Sequence, residues 1–186
     1  MRFSENRTVA FIVLAACVLG SIFGLGGMGL ARERSKVLAV YDRGADTTLS
    51  TRHSVDAYLD SAAENARLMA SEAGLHLQAS QTIDTVAELA DRLASATDTN
   101  ARAEAFEALK TASDKLYDAM YSATQGKGSD FTNFKKAYDD FWESANRIKY
   151  DDYVKLAAGY NDLISGFPGG IVAKMTGQGA LNTFGG

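Results

Sequence analysis

TVAFIVLAACVLGSIFGLGGMGLA, Thr8 to Ala31, runs for 24 residues without a charged side chain. A helix needs about 20 mainly apolar residues to cross roughly 30 Å of hydrocarbon, and within that layer every backbone amide must find its partner inside the segment. The stretch therefore predicts a single transmembrane helix. After Ala31 the character changes at once, to ARERSK and then to a polar, Ala-rich chain. The expected plan is a short tail over 1–7, an anchor over 8–31, a water-facing domain over 32–168 and a glycine-rich tail over 169–186.

Two other readings of the same stretch compete with the uncleaved anchor. Arg2 and Arg7, an apolar run and the small residues Gly29-Leu30-Ala31 loosely fit a cleaved secretory signal, but such a signal has an apolar region of only about 7–15 residues. Leu14-Ala15-Ala16-Cys17 resembles a bacterial lipobox, in which Cys17 would be lipidated, yet Val18 to Leu30 stays apolar after it. Length favours the anchor. Gly20 and Gly24 have the small-xxx-small spacing that lets two membrane helices approach closely, and they mark a candidate dimer face. Arg2 and Arg7 stand against Arg32, Arg34, Lys36 and Arg43 across the segment, which inclines the domain of this single-pass cell-membrane protein to the cytoplasmic side.

Composition narrows the partners. The net charge is −4 and no basic cluster is found in the domain, which argues against nucleic acid, since phosphate binding rests on clustered Lys and Arg. The one cysteine, Cys17, lies inside the apolar run, so no intrachain disulfide can form. A single proline, Pro168, leaves long stretches free to be helical.

Period-3.6 apolar stripes fill the domain. Val55, Leu59, Ala62, Ala66 and Met69 share one face of a helix over Thr51 to Leu77, after a break near Asp42 to Thr48. Ile83, Val86, Ala90, Leu93 and Ala96 form a second stripe beyond Gln78-Ala79-Ser80-Gln81. Asp98-Thr99-Asn100 supplies cap residues, and Phe106, Leu109, Leu116 and Met120, with Ala105, Ala112 and Ser113, form a third stripe that stops at Gly126-Lys127-Gly128. Ser129 and Asp130 are expected to cap a fourth helix through Phe134, Tyr138, Phe141, Ala145 and Ile148, with Trp142 beside them. That pattern extends toward Tyr153, Ala157, Tyr160 and Ile164 until Gly166-Phe167-Pro168-Gly169-Gly170 ends it. Beyond, Ile171 to Phe184 sets apolar residues among glycines, which suits neither a stable helix nor a solvated tail and points to the bilayer or an oligomer. The fold class is all-α: one transmembrane helix followed by an antiparallel bundle of about four helices.

Chemistry is sparse. Glu72 and His76 stand at i and i+4, a spacing that suits one shared metal but more often a surface pair, and His53 sits in no metal or catalytic spacing. Asp84, Glu88 and Asp91, and likewise Asp139, Asp140 and Glu143, line helical faces that read as solvated carboxylate rows. No phosphate loop, Ser-His-Asp set or Glu-x-x-His repeat occurs, so no catalytic, cofactor or metal residue is assigned and no cofactor is expected.

Tyr153 to Gly177, YVKLAAGYNDLISGFPGGIVAKMTG, resembles the C-terminal signature of the LemA family of membrane-anchored helical proteins. Tyr160-Asn161, Ile164, Phe167-Pro168, Ile171, Ala173 and Gly177 match in order and spacing, with Tyr153 one heptad upstream. The family's Arg-x-Asp-Leu-Ile-Pro and Tyr-Pro-x-Leu stretches are absent, so the resemblance implies a divergent member. It implies a helical bundle on one membrane helix, with no catalytic residues to carry over. Packing is the expected role of Tyr160 and Phe167, and Pro168 is expected to turn Ile171 to Met175 back toward the bundle or the membrane. The function expected is a membrane-tethered scaffold or adaptor that binds the bilayer and a protein partner or its own copy. A sensor bundle for a small ligand or cation is the alternative.

Overall fold

The computed structural model describes residues 7–45, 54–77 and 80–184, with side chains from Ala10 onward. His53, Arg2 and Gln78-Ala79 lie outside the described residues. Among the described residues the chain forms seven α-helices and no strand. They are α1 (Arg7–Arg43), α2 (Val55–Gly74), α3 (Gln81–Ser95), α4 (Thr99–Thr124), α5 (Ser129–Lys149), α6 (Asp152–Ser165) and α7 (Gly169–Thr176).

The apolar run is the first part of α1, a continuous 37-residue helix. It is long and apolar enough to cross a membrane. Its large side chains face outward, Phe11 and Leu25 each at 70% exposure. Gly44 ends the helix at φ 78°, its N–H bonded to the Val40 carbonyl at 2.8 Å. Glycine meets that left-handed conformation without a Cβ penalty.

Two compact units divide the described chain. One combines the described part of Met1–Leu38 with Leu156–Leu181, and the other combines the described part of Ala39–Lys155 with the described residues from Asn182 on.

In the second unit, α2 packs on α5, α3 and α4, α3 packs on α4, and α4 touches α5. The stripes explain why. Val55, Leu59, Ala62, Ala66 and Met69 are all fully buried, as are Val86, Ala90 and Leu93 from α3 and Leu109, Leu116 and Met120 from α4. From α5, Phe134, Phe141 and Ile148 close the core, and Phe106 of α4 tilts against Phe141 with ring centroids 6.1 Å apart. Ile83 and Ala96, at the two ends of the α3 stripe, are only partly buried.

Local caps set the helix starts. The Ser54 and Ser80 hydroxyls accept from the Ala57 and Ile83 N–H groups. One Asp98 carboxylate oxygen accepts from Asn100 N at 3.0 Å and Ala101 N at 2.9 Å. Such a side chain satisfies amides that have no partner within the helix, and Asp98→Ala is expected to cost about 1 kcal/mol in urea unfolding monitored by circular dichroism.

Three features differ from expectation. Gly128, at φ 93° and with no side-chain cap bond, takes the N-cap of α5 in place of Ser129 or Asp130. The aromatic helix also stops at Lys149, where Asp151, buried itself, accepts from Tyr153 N at 2.9 Å and restarts the chain as α6. The glycine-rich tail, whose composition speaks against a stable helix, forms α7 over Gly169–Thr176.

Tyr138 carries a pH signature. Burial first, then the hydrogen bond its hydroxyl donates to Asp114 at 2.8 Å, push its phenol up to about 12. The folded chain then holds this proton more tightly than the unfolded chain does. Its stabilising contribution is complete below about pH 10 and is lost as pH rises toward 12. Alkaline unfolding of Tyr138→Phe is expected to show a weaker fall of stability over that window.

Candidate functional site

The residues of the Tyr-Asn and Phe-Pro segment hold the chain end in place. Tyr153 is fully buried, its ring edge-on to Tyr41 at 5.3 Å and to Phe184 at 6.0 Å, and its hydroxyl donates to the Asn182 carbonyl at 3.0 Å. Phe184 also stacks on Tyr41 at 6.1 Å and meets the edge of Phe106 at 6.3 Å. These late residues are therefore part of a core.

Asn161, on α6, makes the second fastening. Its amide nitrogen donates to the Leu181 carbonyl at 2.7 Å and its amide oxygen accepts from Leu181 N at 2.8 Å. The side chain thus satisfies both backbone groups of a residue that is only 2% exposed and lies in no helix.

The rest of the segment builds a small apolar cluster. Leu30, Val172 and Ala173 are buried together, with Ile164 and Phe23 packed against them. A Cβ at Gly26 would meet the Val172 methyls at 3.5 Å, and one at Gly27 would lie 2.8 Å from the Thr176 methyl. The glycines of α1 thus admit α7 at close range. A Cβ at Gly169 would collide with the Leu163 carbonyl oxygen, so the α6–α7 corner is possible only with glycine there. The Phe167-Pro168 peptide is cis, and Gly177 ends α7 at φ 69°. Tyr160 is buried as expected, and burial pushes its phenol up while Arg34 opposes the shift. Phe167 corrects the expectation of packing. It is 88% exposed, because the tight corner points it outward, and Ile171 is exposed with it.

A second feature is the polar groove between α2 and α5, about 540 Å³, walled by Tyr58, Ser61, Asn65, Asp140, Glu143 and Arg147. Arg147 donates twice to Glu143, at 3.0 and 2.6 Å, and its guanidinium lies 5.9 Å from the Tyr58 ring centre. Ser144, buried at the base, donates to the Asp140 carbonyl at 3.1 Å and faces the Ser61 hydroxyl at 3.4 Å. Next to the groove lies the indole of Trp142, its Nε1 buried. Its hydroxyl, amide, carboxylate and guanidinium groups can hydrogen-bond a polar ligand.

Three of the six carboxylates singled out from the sequence are each engaged by one cation. Asp139 pairs with Lys135 at 2.5 Å, Glu143 with Arg147, and Asp91 with Arg67 at 2.8 Å. Among the described residues no group of three His, Cys, Asp or Glu is placed to hold a metal. His76 sits beyond the end of α2 and faces Asp130 at 3.5 Å. Arg102, nearly buried on α4, bridges Asp56 and Asp60 of α2. The two carboxylates at i and i+4 were the signal for it.

Gly20 and Gly24 are open, a Cβ at either meeting nothing within 4 Å. Comparison with protein-family models, with curated proteins and with solved structures finds no match to this chain.

Proposed function

We propose that this protein is a membrane-anchored helical scaffold of the LemA type, in which α1 spans the bilayer once and α2–α5 form an antiparallel bundle that binds a protein partner or a second copy. The observation that carries this reading is α1, an apolar helix whose side chains find little cover within the chain. Exposed Phe, Ile and Leu over some 20 residues require hydrocarbon or another helix around them. The open Gly20 and Gly24 suit self-association along this helix, and the resemblance over Tyr153 to Gly177 adds to the reading. The chain has no catalytic chemistry of its own in this proposal.

Affinity capture of the crosslinked intact protein from its native membrane tests it. A defined protein recovered reproducibly, or a crosslinked self-oligomer lost in Gly20→Leu/Gly24→Leu, is expected. Recovery of the uncrosslinked monomer alone would overturn the scaffold reading.

A second reading rests on the α2–α5 groove, whose polar walls suit a small hydrogen-bonding ligand. Trp142 is the only tryptophan, so ligand binding there would change its emission. A screen of polar metabolites that leaves the emission unchanged counts against the sensor.

A further inference from the structure

We infer that α7 and the α6–α7 corner form a second, interfacial membrane contact that inserts beside α1. The inference rests on the proposal that α1 spans the bilayer. Val172 and Thr176 of α7 lie against Gly26 and Gly27 of α1. Those glycines precede Arg32, the first charge after the apolar run, by six and five residues, or about 8–9 Å at 1.5 Å per residue. A helix packed there lies at the depth where acyl chains meet headgroups.

The outward surface of this element fits that position. Phe167 at 88%, Met175 at 65%, and Ile171 and Leu163 at 49% each are large apolar side chains left uncovered. Ile171 and Met175 stand at i and i+4, so they share the outer face of α7, while Val172 and Ala173 face the cluster with Leu30. From Gly166 to Phe184 the chain carries no Asp or Glu and a single charge, Lys174, whose long stem lets an ammonium reach the headgroups. In water this patch would be a liability. Beside α1 it continues an apolar surface that is already exposed along Leu25 and Met28. The occupant is therefore the bilayer itself, shallowly entered, as for interfacial helices that sink about 5–10 Å.

Depth-resolved spin labelling of the full-length chain in phosphatidylcholine/phosphatidylglycerol vesicles tests this. Nitroxides are placed singly at Phe167→Cys, Met175→Cys and Leu25→Cys in a Cys17→Ser background, with Lys136→Cys on α5 as the aqueous reference. Labels at 167 and 175 are expected to favour oxygen over the water-soluble nickel relaxant, at a depth of about 5–10 Å below the phosphates. A label at 25 in hydrocarbon with 167 and 175 as water-accessible as 136 would overturn the interfacial contact and leave the anchor standing. Labels at 25, 167 and 175 all in water would overturn both.

Discussion

Phe106→Ala is expected to lower the unfolding free energy by about 3–5 kcal/mol, the range for removing a buried phenylalanine and leaving a cavity. Phe106 is 1% exposed and touches two separate parts of the chain, Phe141 of α5 and Phe184 near the chain end. Lys110 also lies over its ring at 5.4 Å. Truncation removes packing for all three at once, and the close-packed helices around it can collapse only in part. Urea unfolding of the full-length protein in detergent, followed by helix signal, measures the change. The loss extends to the tail, so the Phe184 amide is also expected to exchange faster in Phe106→Ala. A change below about 1 kcal/mol would mean that the site relaxes freely and that the core described around Phe106 is wrong.

Asn161→Leu is the second large effect. The substitution keeps the approximate size of the side chain and removes both hydrogen bonds to Leu181. The Leu181 N–H and carbonyl, in a buried residue, then lose their partners, at about 1–3 kcal/mol for each group left unsatisfied. The cost is local first. Release of the tail exposes Leu181 to water and restores its hydrogen bonding, so the measurable change is faster amide exchange there and earlier proteolysis of the last residues. Tyr153→Phe removes one bond, to Asn182, and is expected to act in the same direction with a smaller effect. An Asn161→Leu protein whose Leu181 amide exchanges as slowly as before would contradict the fastening.

The helical stripes were legible because burial follows a period that the sequence displays. The five residues of the α2 stripe, Val55 to Met69, are all in the core, and the Asp98 cap lies where the run Asp98-Thr99-Asn100 placed it. What was not legible depends on contacts made across the chain. Gly128 reads as a stop in isolation, yet it also serves as the N-cap of α5, a place that the side chains of Ser129 and Asp130 are chemically better suited to fill. Gly169 and Gly170 lower helix propensity, so composition speaks against α7. Their need becomes visible only once the Leu163 and Ile164 carbonyls are found close against them. Likewise Asn161 and Leu181 are 20 residues apart, and no local pattern announces an amide that bonds to a backbone segment so far along the chain. Phe167 shows the reverse case. An aromatic residue in a motif invites a core assignment, and the geometry of its corner decides otherwise.

Burial of Cys17 in lipid is the most direct test of the membrane-spanning claim. It is the only cysteine, it lies near the middle of the apolar run, and it is exposed on the protein itself. A surrounding bilayer, with or without a second copy of α1 beside it, would shield it. Native membranes carrying the unaltered protein are treated with a membrane-impermeant maleimide, intact and after opening of the vesicles, and then in denaturing detergent. No labelling in either membrane sample and full labelling in detergent is the predicted result. Labelling of Cys17 in membranes without detergent, or none even in detergent, would contradict a plain transmembrane α1.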